Sequence, residues 1–380
     1  MTFFASASIL LTRCFLIILS VFAVSHASAT TSEMDSNTQI NAVMMDNLVI
    51  LQYHHVSTKT PMSTSIAPEK FAEHLAYLYR HFTVIDLPSA MYALQHKQQL
   101  PNRAVAITFD DGFANILNNA HPLLQRYGFP YTIFINPQSI GVEPSQLTWL
   151  EIKQMAQQNV TFANHTLNHL HMLNRKSDPV SGTPESTEIW LERIMQNINA
   201  AEAIIAKQVG YSLQYVAYPY GEYNRVLADR IKAEGYLGFA QHSGAVASHT
   251  DFSAIPRFPA AGRYANLKTL AVKLNSLAMP LIDTNITSPE IREYGDDFPT
   301  SMELTLATND LSVKRVNCFF QGDVTATSST ANVVHVTLPE AFPVGRSRIN
   351  CTVPSKQHKR RFYWFSQPFF KANAKALYPD

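Results

Sequence analysis

Ala104-Val105-Ala106-Ile107-Thr108-Phe109-Asp110-Asp111-Gly112 decides how the rest of the chain is read. The run from Ala104 to Phe109 is apolar apart from Thr108 and predicts a buried strand. It ends in two carboxylates and a glycine. Adjacent carboxylates repel unless positive charge lies between them. Neighbours on a strand point to opposite faces, so both can serve one site only if the chain turns off the strand there. Gly112 permits such a turn. Taken alone, the dipeptide is equally readable as an acidic strand-end turn.

A second stretch shifts the balance. Val160-Thr161-Phe162-Ala163-Asn164-His165 is another apolar run with a polar end, and His169 follows four positions on. In a helical turn that spacing puts both rings on one face. Two neutral imidazoles and a carboxylate are a common ligand set for a catalytic zinc, with positions left open for water. Histidines are frequent in this chain and His171 follows closely, so a chance pairing stays open for this stretch by itself. Its conjunction with a strand-end Asp110-Asp111 favours a metal site.

Three motifs now stand in order: Thr108-Phe109-Asp110-Asp111-Gly112, Asn164-His165-Thr166-Leu167-Asn168-His169 and Tyr218-Pro219-Tyr220-Gly221. Together they resemble the first three motifs of the polysaccharide deacetylases with a NodB-homology domain (carbohydrate esterase family 4). Within that family the chain is most similar to the branch of poly-N-acetylglucosamine deacetylases of biofilm export. That branch carries an early Tyr-His motif, matched here by Tyr53-His54.

The resemblance implies roles. Asp111, His165 and His169 are expected to hold a divalent metal. Zinc suits two imidazoles and a carboxylate, and iron, cobalt or nickel would also fit. Asp110 is the expected base, because a carboxylate beside a dication stays ionised. His54 is the expected acid, since imidazole titrates near neutral pH. His55 is a rival for that role and His242 a weaker one. Tyr220 is expected to offer its backbone N–H to an oxyanion. Pro219 and Asn164 are grouped with it at the substrate.

The chain also departs from the family pattern. Leu170 follows the second histidine where proline is frequent. Val216, Ala217 and Tyr218 stand where an arginine usually precedes Pro-Tyr-Gly. That arginine normally orients the base, and Arg257 is the expected substitute. No late leucine-histidine motif is found between Gly262 and Pro280, which the early His54 accounts for. The Asp-Trp motif of the acetyl pocket is missing, and Trp149 reads better as core than as its replacement.

Composition sets the remaining bounds. The chain has 380 residues, enough for one large domain and a small one. Lys and Arg number 30 against 29 Asp and Glu, so there is no global field to draw nucleic acid. Arg13, the apolar Cys14 to Val24 and Ala27-Ser28-Ala29 read as a signal segment with a cleavage site. The mature chain is then expected to begin near Thr30, in the periplasm or outside the cell, with an uncleaved anchor as the alternative. Cell-envelope association and a monomeric state are expected. Only Cys318 and Cys351 remain after cleavage, and in an oxidising compartment they are expected to pair.

Strands alternating with helices predict a parallel sheet, and their number suggests a barrel. Helices are expected over Pro68 to Phe82, Ser89 to Gln98, Ala120 to Tyr127, Glu188 to Val209, Asn224 to Glu234 and Leu267 to Leu277. Another opens at Thr148, where Thr148 and Glu151 form a capping-box pattern. His54, Asp110-Asp111, Asn136, His165 and Tyr220 all fall at or just past strand ends, and in a β/α barrel those ends share one face. The resemblance implies an irregular α/β barrel with fewer strands than the eightfold form. The expected division is a signal segment at 1–29, the deacetylase domain at 30–280, a linker at 281–300 and a β-sandwich-like domain at 301–380. The basic and aromatic run Lys359 to Phe365 reads as a strand with a basic turn, or as a surface for sugar or an anionic polymer.

The expected substrate is an N-acetylated amino-sugar polysaccharide, with peptidoglycan or chitin fragments as alternatives. A non-catalytic carbohydrate-binding protein on the same barrel is the reading from another class. The missing arginine speaks for it, and Asp110 speaks against it, since a binder needs no base.

Overall fold

A computed structural model describes residues 44–177 and 180–379. The expected signal segment therefore lies outside the described residues. No helix among the described residues is long and apolar enough to cross a membrane.

Seven parallel strands build the site's scaffold: β1 (Leu48–Tyr53), β2 (Ala104–Phe109), β3 (Tyr131–Ile135), β4 (Val160–Asn164), β5 (Tyr215–Ala217), β6 (Leu237–Phe239) and β7 (Phe258–Pro259). Their order is β6-β5-β4-β3-β2-β1-β7, every pairing parallel. The sheet curls without a ladder between β6 and β7; a single bridge, Phe239 to Ile255, spans that side. This is the irregular barrel of the NodB type.

Side-chain parity sorts the strands into two cores. Val49, Leu51 and Tyr53 pack with Phe71, Leu75 and Leu78 of the helix Pro68–His81, while Leu48 and Ile50 pack with Ala104, Ala106, Phe134, Ala163 and Phe239. Strands buried on both faces read as continuous apolar runs, which is why alternation is weak in the sequence. Parity also aims Gln52, Thr108 and Asp110 to the second side, in step with Ile50 and Ala106.

The helices follow their caps. Thr148 accepts from the Glu151 N–H, and the Glu151 carboxylate accepts from the Thr148 N–H, opening Trp149–Ala156. Asp86 caps Leu87–Gln95, two residues earlier than the Ser89 start expected, because Pro88 tolerates the first turn. The last barrel strand, Phe258–Pro259, is short, and before it Asp251 ties back Ser253 in a local turn.

From Leu277 onward the chain is β-rich. One sheet runs Leu277–Ala278, Phe362–Lys371, Gly345–Pro354, Asn317–Phe320, Asp323–Thr325; the other runs Leu281–Thr284, Ser301–Leu306, Val333–Thr337, Thr327–Thr330. Met302, Leu304, Val334, Val336, Ile349, Val353 and Phe369 form their shared core. Leu281–Thr284, inside the stretch expected to be a linker, is a strand paired with Ser301–Leu306. Cys318 and Cys351 face each other across neighbouring strands and are bonded.

The β-rich region is bolted to the barrel. Arg361, expected on a solvated turn, is buried and donates to the carbonyls of Asn275 and Ser276 and to Asn102. Trp364 packs its ring edge-on against Phe258 of β7 at 5.3 Å. Arg346 donates to the Tyr220 carbonyl at 2.7 Å.

Candidate active site

All seven strands run the same way, so their C-terminal ends share one rim. Asp110 continues the parity of β2 and points inward, fully buried. Asp111 then adopts a left-handed backbone, φ +73°, and Gly112 another, also φ +73°. The turn needed to bring both carboxylates to one site is thus made by Asp111 itself as well as by Gly112. Aspartate tolerates this conformation better than most residues with a Cβ. A Cβ on Gly112 would lie 2.9 Å from Ile135 Cγ2, so the neighbouring strand also demands glycine there.

His165 and His169 do come together, their rings 4.9 Å apart, but not on a helix as the spacing suggested. Residues 165–169 form an irregular turn with Thr166 at φ +68° and His169 at φ +53°. Short polar side chains hold it. Asn164 accepts from the Thr166 N–H at 2.7 Å, and Asn197 accepts from the Leu167 N–H at 2.9 Å. The Asn136 amide donates to the carbonyls of His165 and Thr166.

Asp111, His165 and His169 present one ligand atom each within 4.8 Å of one another. Asp111 Oδ1 lies 3.2 Å from His165 Nε2 and 3.4 Å from His169 Nε2. His165 Nδ1 sits 2.8 Å from the Ala217 carbonyl, which can only accept. The proton is therefore on Nδ1, and Nε2 keeps its lone pair for another partner. Asp111 Oδ1 and His165 Nε2 are both buried with no hydrogen-bond partner. Two electron-rich atoms so placed repel each other unless a cation joins them. The donor set and its orphaned atoms fit a divalent metal.

Asp110 belongs to a second, fixed network. Arg257 meets it with both guanidinium nitrogens, Nη1 to Oδ1 at 2.7 Å and Nη2 to Oδ2 at 2.9 Å. Gln52 Nε2 donates to Oδ2 at 2.7 Å. Burial alone would raise this carboxyl's pKa, but Arg257, then His165 and His54, hold it well below the usual range. The Asp111 side chain, by contrast, is only half-buried. Arg257 is itself fully buried, with Nε donating to the Ala240 carbonyl and Cζ 5.2 Å from the centre of the Phe134 ring.

His54 Nε2 stands 3.9 Å from Asp110 Oδ2, half-buried at the mouth. Its rival His55 is turned away, stacked on Phe113 at 3.6 Å with Nδ1 2.8 Å from Asn115. Burial, with His54 adding to it, lowers His55 to about 4. His242 lines the same cleft as His54, and burial, then Arg348, lowers it to about 3.

The Pro219–Gly221 turn lies on the same rim, with Tyr220 at φ +56°. The Tyr220 ring stacks on His171 at 3.9 Å and meets the edge of His169 at 4.6 Å. His171 in turn bonds Glu222 at 2.7 Å, which explains why it stands outside the ligand trio. Asn164 is corrected by the structure. It is fully buried, with its amide donating to Ile198 and Glu202, so it braces the histidine turn instead of facing a substrate. Trp149 packs against the main core.

Sequence reasoning missed Gln52. The signal was present: an amide in the apolar run Leu48–Tyr53, in phase with the inward Leu48 and Ile50. It also missed the cleft of about 1350 Å³ that joins this rim to the β-rich region, lined by Gln52, His54, Gly221 and Gln241 on one side and Arg346 and Arg348 on the other.

Comparison with known proteins bears on the family. The family model for polysaccharide deacetylase matches residues 97–239. The chain is 30% identical over 214 residues to a poly-beta-1,6-N-acetyl-D-glucosamine N-deacetylase of Staphylococcus aureus, covering 54% of this chain and 71% of the relative. Among solved structures it is similar to a de-N-acetylase from Aggregatibacter actinomycetemcomitans (TM-score 0.54, 21% identity, 60% of this chain and 100% of that one). It is also similar to IcaB from Ammonifex degensii (TM-score 0.52, 23% identity, 60% and 97%). Those two likenesses concern the fold of the barrel part. With a relative at this identity and coverage, and with the family's motifs gathered on one rim, the chain belongs to the polysaccharide deacetylase family.

Proposed function

We propose that the protein is a secreted, metal-dependent hydrolase that removes N-acetyl groups from an amino-sugar polysaccharide of the poly-β-N-acetylglucosamine type. The observation that supports this most is the juxtaposition of an ionised Asp110 with the orphaned trio Asp111, His165 and His169. A binding protein would need neither. The expected division into a deacetylase domain at 30–280 and a β-sandwich-like domain at 301–380 is retained as part of the proposal, as is a periplasmic or extracellular location.

Asp111, His165 and His169 would hold the metal, zinc being the first candidate for this donor set. When bound, such an ion polarises a carbonyl and activates water. The rest is done by the chain's own groups. Asp110 takes a proton from the attacking water. A carboxylate offers about four lone-pair directions. Arg257 and Gln52 occupy three, leaving one for that proton. The water oxygen bonds to the acetyl carbon, the carbon–nitrogen bond breaks, and His54 supplies a proton to the departing amine. Acetate and a free amino sugar result. The Tyr220 N–H, on a turn fixed by Pro219 and by ring stacking, would receive the oxyanion.

Acetate release from N-acetylglucosamine oligomers, with chitin and peptidoglycan fragments as comparison substrates, tests the proposal. D110N should lower release by about 10²–10⁴-fold with metal content unchanged. D111A and H165A should lose the metal itself, read by elemental analysis. Unimpaired release by D110N would refute the assignment of the base.

A further inference from the structure

Beside the catalytic rim the cleft changes character. Its lining contains Arg263, Arg346 and Arg348 and no aspartate or glutamate. The chain as a whole is close to neutral, so this is a local accumulation. Three cations converge on one phenol. Arg348 and Arg263 donate to the Tyr264 hydroxyl at 2.7 and 2.9 Å, and Lys273 Nζ lies 4.4 Å from the Tyr264 ring centre. None of Arg263, Lys273 or Arg348 forms an ion pair among the described residues. The field they create is felt locally. Burial, then Arg348 and Arg263, lowers Lys273 to about 8, and the same arginines draw the Tyr264 phenol down against its burial.

Like charges held together without a carboxylate repel. A planar guanidinium is suited to carboxylate or phosphate oxygens. The cleft's volume of about 1350 Å³ exceeds the ~300–1,000 Å³ typical of a small-molecule pocket, and its lining includes both His54 and Arg348. A polymer whose acetamido group reaches His54 would lay a neighbouring unit against the arginines.

We propose that the cleft receives an anionic substituent, a carboxylate or a phosphate, carried by the amino-sugar polymer near the unit being deacetylated. This rests on the deacetylase reading but departs from its poly-N-acetylglucosamine form: the substrate is an acidic amino-sugar glycan, and the β-rich region supplies the selectivity through Arg348. Arg346 contributes charge at the rim while it holds the Tyr220 carbonyl and Gln241.

The test uses the full mature chain and three probes of equal length. One is neutral N-acetylglucosamine oligomer, one alternates glucuronate with N-acetylglucosamine, and one has phosphodiester-linked N-acetylglucosamine units. Affinity is read by calorimetry at low and high salt, and acetate release is read in parallel. One acidic probe should bind at least about tenfold more tightly than the neutral one, the effect expected of a single charged hydrogen-bond pair, and the preference should fade with salt. Which acidic probe prevails identifies the anion. R263Q/R348Q should bind all three alike, and R263K/R348K, which keeps the charge, should retain a preference. Equal affinities in the native chain, or a preference that survives R263Q/R348Q, would overturn the proposal. Acetate release from the neutral oligomer without any acidic preference would leave the deacetylase reading standing and remove this one. Acidic preference without release from any probe would remove the deacetylase reading and leave only anion binding by the cleft.

Discussion

Arg257 and Asp110, 147 positions apart in the chain, form a two-pronged ion pair in which neither side chain is exposed. The pair exists because β7, which follows Arg257, lies beside β1, while Asp110 ends β2 on the other side of β1. A pair of this kind is what the proposed substitution of Arg257 for the missing motif arginine requires.

Breaking this pair from one side should be expensive. R257M leaves a buried carboxylate without its main partner, and a loss of about 3–5 kcal/mol is expected. D110N strands the guanidinium in the same way. The double variant removes both charges and should lose clearly less than the sum of the singles. Urea unfolding of the four proteins measures the coupling; strict additivity would mean the two side chains do not depend on each other.

Gly112 gives a second handle. In G112A the new methyl would meet Ile135 Cγ2 at 2.9 Å and Ile140 Cδ1 at 3.2 Å, on a backbone at φ +73°. Overpacking of this kind costs about 1–3 kcal/mol. Because Asp111 is the preceding residue, metal affinity should fall together with the melting temperature. A variant with native metal affinity and a native melt would show that the turn has slack.

Lys273 should make stability depend on pH in the alkaline range. Its folded pKa, about 8, lies below the ordinary lysine value of 10.5. The folded state therefore binds fewer protons than the unfolded state between these values, and stability rises with pH across that window. Below pH 8 the buried charge opposes folding by about 3 kcal/mol, at roughly 1.4 kcal/mol per pKa unit. K273M should be spared this opposition, so its stability relative to the native chain is highest near neutral pH and declines as pH rises through 8 toward 10.5. Denaturant midpoints for both proteins at pH 7 and pH 10 test this; a pH-independent difference would contradict it.

The disulfide should matter to the β-rich region. Cys318 and Cys351 close a loop of 33 positions in sequence. Cross-links over loops of this order stabilise by about 2–4 kcal/mol, chiefly by restricting the unfolded chain. C318A/C351A should lower the unfolding midpoint accordingly while acetate release at low temperature stays near normal. A collapse of activity at low temperature would mean that the bond also holds the cleft in shape.

The ligand trio was legible because its parts are local. An apolar strand, a strand end and a short polar turn are all written within a few consecutive residues at Asp110-Asp111-Gly112 and His165 to His169. Even there the conformation differed: the histidines meet through a turn pinned by Asn136, Asn164 and Asn197, where spacing alone suggested a helix. His54 ranks ahead of His55 in the sequence only through the resemblance, since adjacent strand residues differ only in the face they take, and the fold gave one to Asp110 and the other to Phe113 and Asn115.

The amino-acid sequence by itself determined the curled parallel barrel, the rim that carries the polar strand ends and the residues available to hold a metal. Strand periodicity and short motifs are properties of neighbours in the chain, and they survive without knowledge of the fold. Only the tertiary structure decided that Arg257 and Gln52 share Asp110, that Asn164 braces a turn, and that Arg263, Lys273 and Arg348 gather around Tyr264. Those relationships depend on which strands become neighbours and on the register between them, and charge placed by register leaves no local trace in a sequence whose total charge nearly cancels.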